Sequence, residues 1–270
     1  MKPIGVFDSG FGGLEILQEI VKKLPEYDYV YLGDTARLPY GSRTQEVVYN
    51  FTVEAVDFLL KKSCPLLILA CNTASSEALR RIQKEYLAKN FPEKKVLGVI
   101  IPAAEEAVEK TKNNRVGVIG TESTVNSRAF ERELKKLNFR VKVFQKACPL
   151  LVPIVEAGEE NSQITEPVLK NYLNPLIKKD IDTLILGCTH YGLLKKKIKK
   201  IVGEKINVIT EGEIVAEKLN DYLKRHQEIE KNLSRNSTIR FLTTDLTDRF
   251  KILGSQFFGK EISPEKVSLE

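Results

Sequence analysis

One apolar stretch closes on a cysteine twice, and that repetition limits the possible folds more than any other feature of the chain. Leu66-Leu67-Ile68-Leu69-Ala70-Cys71-Asn72-Thr73 is echoed by Thr183-Leu184-Ile185-Leu186-Gly187-Cys188-Thr189-His190, 117 residues further on. Gly5-Val6-Phe7-Asp8-Ser9 is echoed in the same order by Gly117-Val118-Ile119-Gly120-Thr121, at an offset of 112. Such runs are short and continuously apolar, as strands buried on both faces are. Aliphatic strands resemble one another by chance, so the shared terminal cysteine is what makes the echo informative. It points to two related halves.

The rest of the chain alternates in the same way. Strands are predicted at Ile4–Asp8, Tyr29–Leu32, Leu66–Cys71, Val96–Ile101, Val116–Gly120, Val141–Phe144, Thr183–Cys188, Ile206–Thr210 and Thr238–Leu242. Helical spacing links Val47, Val48, Phe51, Ala55, Phe58 and Leu59, and again Phe130, Leu134 and Leu137. Pro102 suits the first turn of a helix after Ile101. The polar, punctuated stretch His226–Ser237 is expected to be a loop. Strand–helix alternation of this kind means an α/β fold with parallel sheets.

Composition narrows the function. Apolar residues make up 42% and charged residues 29%, as in an ordinary globular protein. No segment approaches the roughly 20 apolar residues needed to cross a bilayer. Met1-Lys2-Pro3 runs directly into the first strand, so neither a signal peptide nor a membrane partner is expected, and cytoplasm is the default location. The net charge of +6 is spread along the chain. Its densest cluster, Lys195–Lys200, alternates with Leu194, Ile198, Ile201 and Val202 on one helical stripe. That pattern describes a solvated helix face, and no nucleic-acid partner is expected. The four cysteines form no CxxC pair, and His190 and His226 lack partners at ligand spacing, so no metal site is expected. Cys64 and Cys148, each followed by Pro-Leu-Leu, fall outside the repeat and are expected to be structural.

Cys71 and Cys188 each stand between a strand and a helical segment. Ligands of open α/β sheets bind at that end of the strands. A helix N-terminus there is expected to lower the thiol pKa. Asn72-Thr73 and Thr189-His190 would add hydroxyl, amide and first-turn N–H donors suited to a carboxylate. Thiols facing one another across a cleft could invert an α-carbon, one removing a proton while the other delivers one from the far face. An ordinary thiol pKa of about 8.5 leaves both protonation states accessible. A single cysteine at a strand end is more simply a small buried side chain. Two at equivalent positions favour chemistry. The turn Asp8-Ser9-Gly10-Phe11-Gly12-Gly13 lacks the dinucleotide and P-loop fingerprints, and is expected to present Asp8 and Ser9 to the cleft. The loop Gly33–Gly41 should lie at the same end of the sheet.

Together, VFDSGFGGL, GDTARLPYG, ACNTAS, the Gly120, Thr121 and Thr124 stretch, and GCTHY resemble the glutamate racemases of the aspartate/glutamate racemase superfamily. The resemblance runs from about Ile4 to Tyr191, with a weaker tail. It implies interconversion of L- and D-glutamate for peptidoglycan synthesis, with no cofactor, in a cytoplasmic homodimer. Cys71 and Cys188 would be the acid/base pair, with Asp8, His190 and Glu156 assisting proton transfer. Asp8, Ser9, Pro39, Tyr40, Gly41, Asn72, Thr73, Thr121, Thr124, Thr189 and His190 would bind substrate. By the family's pattern Cys71 acts on D-glutamate and Cys188 on L-glutamate. Two positions depart from that pattern: Gly192 stands where proline is usual, and Ile101 where an acidic residue is common. The fold expected is two flavodoxin-like parallel-sheet domains related by a pseudo-two-fold axis, with the active site in the cleft between them. The first would comprise 1–97 with 211–270, and the second 98–210. The alternatives are a racemase of aspartate or a hydantoin, and a non-catalytic two-domain small-molecule binding protein.

Overall fold

The computed structural model describes residues 2–269. It contains two fully parallel sheets. The first is built from β1 (Ile4–Asp8), β2 (Tyr29–Gly33), β3 (Leu66–Leu69), β4 (Lys95–Gly98), β9 (Ile239–Thr243) and β10 (Pro264–Lys266), in the order β10-β9-β2-β1-β3-β4. The second is built from β5 (Arg115–Gly120), β6 (Lys142–Ala147), β7 (Thr183–Gly187) and β8 (Asn207–Ile209), in the order β6-β5-β7-β8. The first four strands of one sheet and the four of the other therefore follow the same winding. In each, the chain reverses direction across the sheet between its first and third strands. The echo in the sequence pairs these same strands, β1 with β5 and β3 with β7.

Burial explains why the strands read as unbroken apolar runs. Every residue of β1, β2, β3 and β7 is buried, because helices cover both faces. The largest apolar cluster is continuous between the sheets. It joins Ile4, Val6 and Ile68 to Leu184, Leu186 and Ile198, through Leu14 and Leu17 of the helix Gly13–Lys23 and Val215 and Leu219 of the helix Gly212–Arg225. Of the lysine-rich helix Lys195–Val202, Ile198 and Val202 are buried, as the stripe required.

Several element boundaries differ from expectation. The strand expected over Val96–Ile101 stops at Gly98, and a helix already begins at Ile100. Pro102 sits in its first turn, where a missing N–H costs nothing. Residues 227–230, within the expected loop, form a helical turn that buries Ile229. Strand β10 was not expected at all. Glu265 and Lys266 are exposed and Pro264 half-buried at the sheet edge, so the strand carries no apolar signature.

Candidate active site

The carboxyl ends of β1 and β3 in one sheet, and of β5 and β7 in the other, open onto one cavity of about 420 Å³. These are the points where strand order reverses, at which neighbouring loops diverge and leave a crevice. Cys71 and Cys188 both border the cavity. So do Ser9, Pro39, Tyr40, Gly41, Asn72, Thr73, Thr121, Glu156, Thr189 and His190. Asp8 and Thr124, expected to touch substrate, lie one layer behind the wall. The Asp8 carboxylate turns back to accept the Gly10 N–H at 2.8 Å, and Thr124 bonds the hydroxyls of Thr121 and Thr73 at 3.0 and 3.4 Å.

The two thiols are held differently. Cys71 is the N-cap of the helix Asn72–Glu77, its sulfur accepting the Ala74 N–H at 3.4 Å and lying 3.4 Å from Ser9 Oγ. Cys188 precedes the 3-10 turn Thr189–Leu194, and its sulfur lies 3.9 Å from His190 Nδ1. The expected lowering of the thiol pKa is reversed. Burial, reinforced by the Asp8 charge, pushes Cys71 up to about 11 against the hydrogen bonds from Ser9 and Ala74. Burial also lifts Cys188 well above its usual range, opposed by the backbone N–H of His190 and reinforced by Cys71, Asp8 and Glu211. The reason is one of scale: a helix terminus contributes about 0.3–1 kcal/mol, less than one pKa unit, whereas full burial can move a group by about 3–5 units. Burial likewise raises Asp8, against His190, the Gly10 and Gly13 amides and Thr189.

Behind Cys188, His190 is confined by two rings. Phe11 and Phe257 meet it edge-on, with centroids at 5.9 and 5.5 Å. Its Nε2 stands 3.2 Å from Glu156 Oε1, close to it but not aligned as a hydrogen bond. Arg249 approaches the other oxygen of Glu156 at 3.5 Å.

Across the cavity, the loop after β2 is fixed by Asp34, which is fully buried. Its carboxylate accepts from Arg37 Nε at 2.7 Å, the Tyr40 hydroxyl at 2.5 Å and Thr244 Oγ1 at 2.9 Å. The Tyr40 hydroxyl therefore points away from the cavity. The halves also approach closely at two glycines. A Cβ on Gly12 would collide with Thr189 and lie 2.9 Å from His190 Nδ1, and one on Gly41 would lie 2.7 Å from Thr121.

Sequence reading missed Glu122, Val152, Pro153 and Arg249 at the cavity wall, together with Cys148, which was expected to be structural only. Arg249 sits in the weaker tail of the resemblance. Cys148 carried a usable signal, since it closes β6 as Cys188 closes β7. A further acidic layer lies beneath Cys188. Asn72 Nδ2 donates to buried Glu211 at 2.7 Å, and Glu15 occupies the space a side chain at Gly192 would need. Burial raises Glu15 to about 7, against Lys195 and with Glu19. No group of three or more His, Cys, Asp or Glu side chains among the described residues is arranged to hold a metal ion.

Comparison with known proteins agrees with this fold. Residues 4–219 match the family model described as Asp/Glu/Hydantoin racemase. The chain is 40% identical to a glutamate racemase of Geobacter metallireducens over 270 residues, covering 100% of this chain and 97% of that one. It is similar to the crystal structure of a glutamate racemase isoform from Bacillus anthracis, with a TM-score of 0.90, 39% identity, and coverage of 99% and 98%. A glutamate racemase from Francisella tularensis, solved in complex with D-glutamate, also gives a TM-score of 0.90, at 35% identity and coverage of 100% and 98%.

Proposed function

The chain belongs to the aspartate, glutamate and hydantoin racemase family, and from that membership we propose that it interconverts L- and D-glutamate with Cys71 and Cys188 as the two acid/base groups. One observation carries the reading: both strand-end cysteines border a single cavity, each from a different sheet, and their charges bear on one another. A thiolate on one side takes the α-proton and the thiol opposite returns one to the other face. The raised thiol pKa makes each thiolate scarce but strongly basic, which suits the weakly acidic α-carbon. The substrate ammonium would offset burial as a thiolate forms. His190, Glu156 and Asp8 would trade protons with the sulfurs; Ser9, Asn72, Thr73, Thr121 and Thr189, with the backbone amides of Tyr40 and Gly41, would hold the carboxylates, and Pro39 would shape the wall. The scheme uses only side chains and the substrate's own charge.

We take 1–97 with 211–270 as one domain and 98–210 as the other, their closure shielding the carbanion-like state from water. Among the described residues no helix is long and apolar enough to cross a membrane. A cytoplasmic homodimer providing D-glutamate for peptidoglycan fits a racemase of this substrate.

In D₂O the protein should place deuterium at the α-carbon of glutamate while inverting it. Cys71→Ser and Cys188→Ser should each lose inversion by at least about 10²-fold. If Cys71 serves D-glutamate, Cys71→Ser should still exchange the α-proton of L-glutamate with retention, and Cys188→Ser that of D-glutamate. Absence of exchange with glutamate in the wild type, or inversion only of aspartate, would sink the assignment. Normal turnover in either serine variant would end the two-thiol scheme.

A further inference from the structure

The helix Asp248–Phe258 follows β9 and precedes β10, so the chain builds it onto the first sheet. Three of its side chains nevertheless reach the second. Gln256 donates to Glu160 at 3.3 Å, the Phe257 ring meets the His190 ring at 74°, and Arg249 stands 3.5 Å from Glu156 Oε2. His190, Glu156 and Arg249 thus continue outward from Cys188, at steps of 3.9, 3.2 and 3.5 Å.

Phe11 and Phe257 fix the plane of the imidazole, so its two nitrogens keep separate neighbours, Cys188 at Nδ1 and Glu156 at Nε2. A carboxylate beside Nε2 favours the hydrogen there, and leaves the Nδ1 lone pair facing the Cys188 sulfur. Glu156 is the last residue of the short helix Leu151–Glu156 and is partly open to solvent. Among the described residues, Arg249 is the one cation that engages its outer oxygen.

We propose that Arg249 is a positioning residue for the Cys188 half-reaction, holding Glu156 against His190 Nε2 so that Nδ1 stays free to accept the Cys188 proton. The proposal rests on the glutamate racemase reading for its kinetic consequence but not for its geometry. A half-exposed ion pair ordinarily adds little to stability, so the effect belongs to proton transfer rather than folding. Arg249 also borders the cavity. A direct grip on a substrate carboxylate is therefore the competing role, and the experiment separates the two.

The variants are Arg249→Met, Arg249→Lys, Glu156→Gln and the Arg249→Met/Glu156→Gln double. The chain has only two histidines, so ¹⁵N-histidine NMR of the unliganded protein reads the His190 tautomer directly. The wild type and Arg249→Lys should carry hydrogen on Nε2, whereas Arg249→Met should shift population toward Nδ1–H. Arg249→Met should lower kcat about ten-fold with KM nearly unchanged, Arg249→Lys should recover most of it, and Arg249→Met should add nothing in the Glu156→Gln background. The proposal is overturned by an Nδ1–H tautomer in the wild type, an unchanged tautomer in Arg249→Met, a rise in KM in place of the fall in kcat, or a loss that persists beside Glu156→Gln. If the glutamate reading fails, the tautomer measurement on the unliganded chain still decides the positioning claim.

Discussion

Asp34 opens the loop that follows β2, and its role lies in the donors its carboxylate collects. One buried carboxylate receives donors from Arg37, Tyr40 and Thr244, and so ties the loop after β2 to the end of β9. The Tyr40 ring then packs on Phe7 and Phe51. Removing one member of a buried, charge-assisted set leaves the others unpaired, at a cost of about 3–5 kcal/mol. Asp34→Ala should lose that much in urea unfolding, and a loss below about 1 kcal/mol would refute the role. The sequence flagged this loop as functional through its motif, but not the reason. Thr244 is 210 residues from Asp34, and no local pattern joins them.

Among the elements, the turn between β1 and the helix Gly13–Lys23 is one place where the two halves meet closely. Gly12 lets the backbone lie against Thr189 and His190 of the opposite 3-10 turn. The sequence identified a tight glycine-rich turn there, and the structure gives its purpose as contact across the cleft. A methyl group on Gly12 would wedge the halves apart near Cys188. Displacements of about 1 Å in a reacting site can cost about 10²-fold. Gly12→Ala should therefore reduce kcat by roughly that factor while the circular dichroism spectrum stays native, and a wild-type kcat would disprove the close approach. Of the two departures from the family pattern, Gly192 now has an explanation, since its missing side chain leaves room for Glu15. Ile101 lies in the first turn of the helix Ile100–Lys110 and away from the cavity wall, and nothing around it explains the change.

At the scale of the molecule, bringing the two sheets together buries charge as well as apolar surface. Glu15, on a helix of the first sheet, is pressed against Gly192 and near Lys195 of the second, and burial raises it to about 7. A carboxyl raised on folding contributes most stability below its unfolded pKa, and that contribution is lost as pH rises through the folded value. Between about pH 4.5 and 7 the wild type should therefore lose stability relative to Glu15→Gln. The variant should be the more stable by on the order of 1–3 kcal/mol at pH 8, and nearly equal at pH 4.5. Thermal melts across that range would check it, and a constant difference at every pH would contradict it.

What the sequence determined by itself was whatever repeats locally. Continuous apolar runs gave the parallel strands, and the echo at Cys71 and Cys188 gave the paired halves, because strand burial and strand-end position are written within a few neighbouring residues. The tertiary structure decided everything that depends on what lies across the cleft. A local reading of a helix N-terminus predicted lowered thiol pKa values, yet the dry environment made by both sheets raises them. The Cys188–His190–Glu156–Arg249 line draws on segments up to 93 residues apart, and its last member comes from the tail where motif resemblance is weakest. Desolvation and cross-sheet charge contacts are properties of the assembled fold, and no window along the chain contains them.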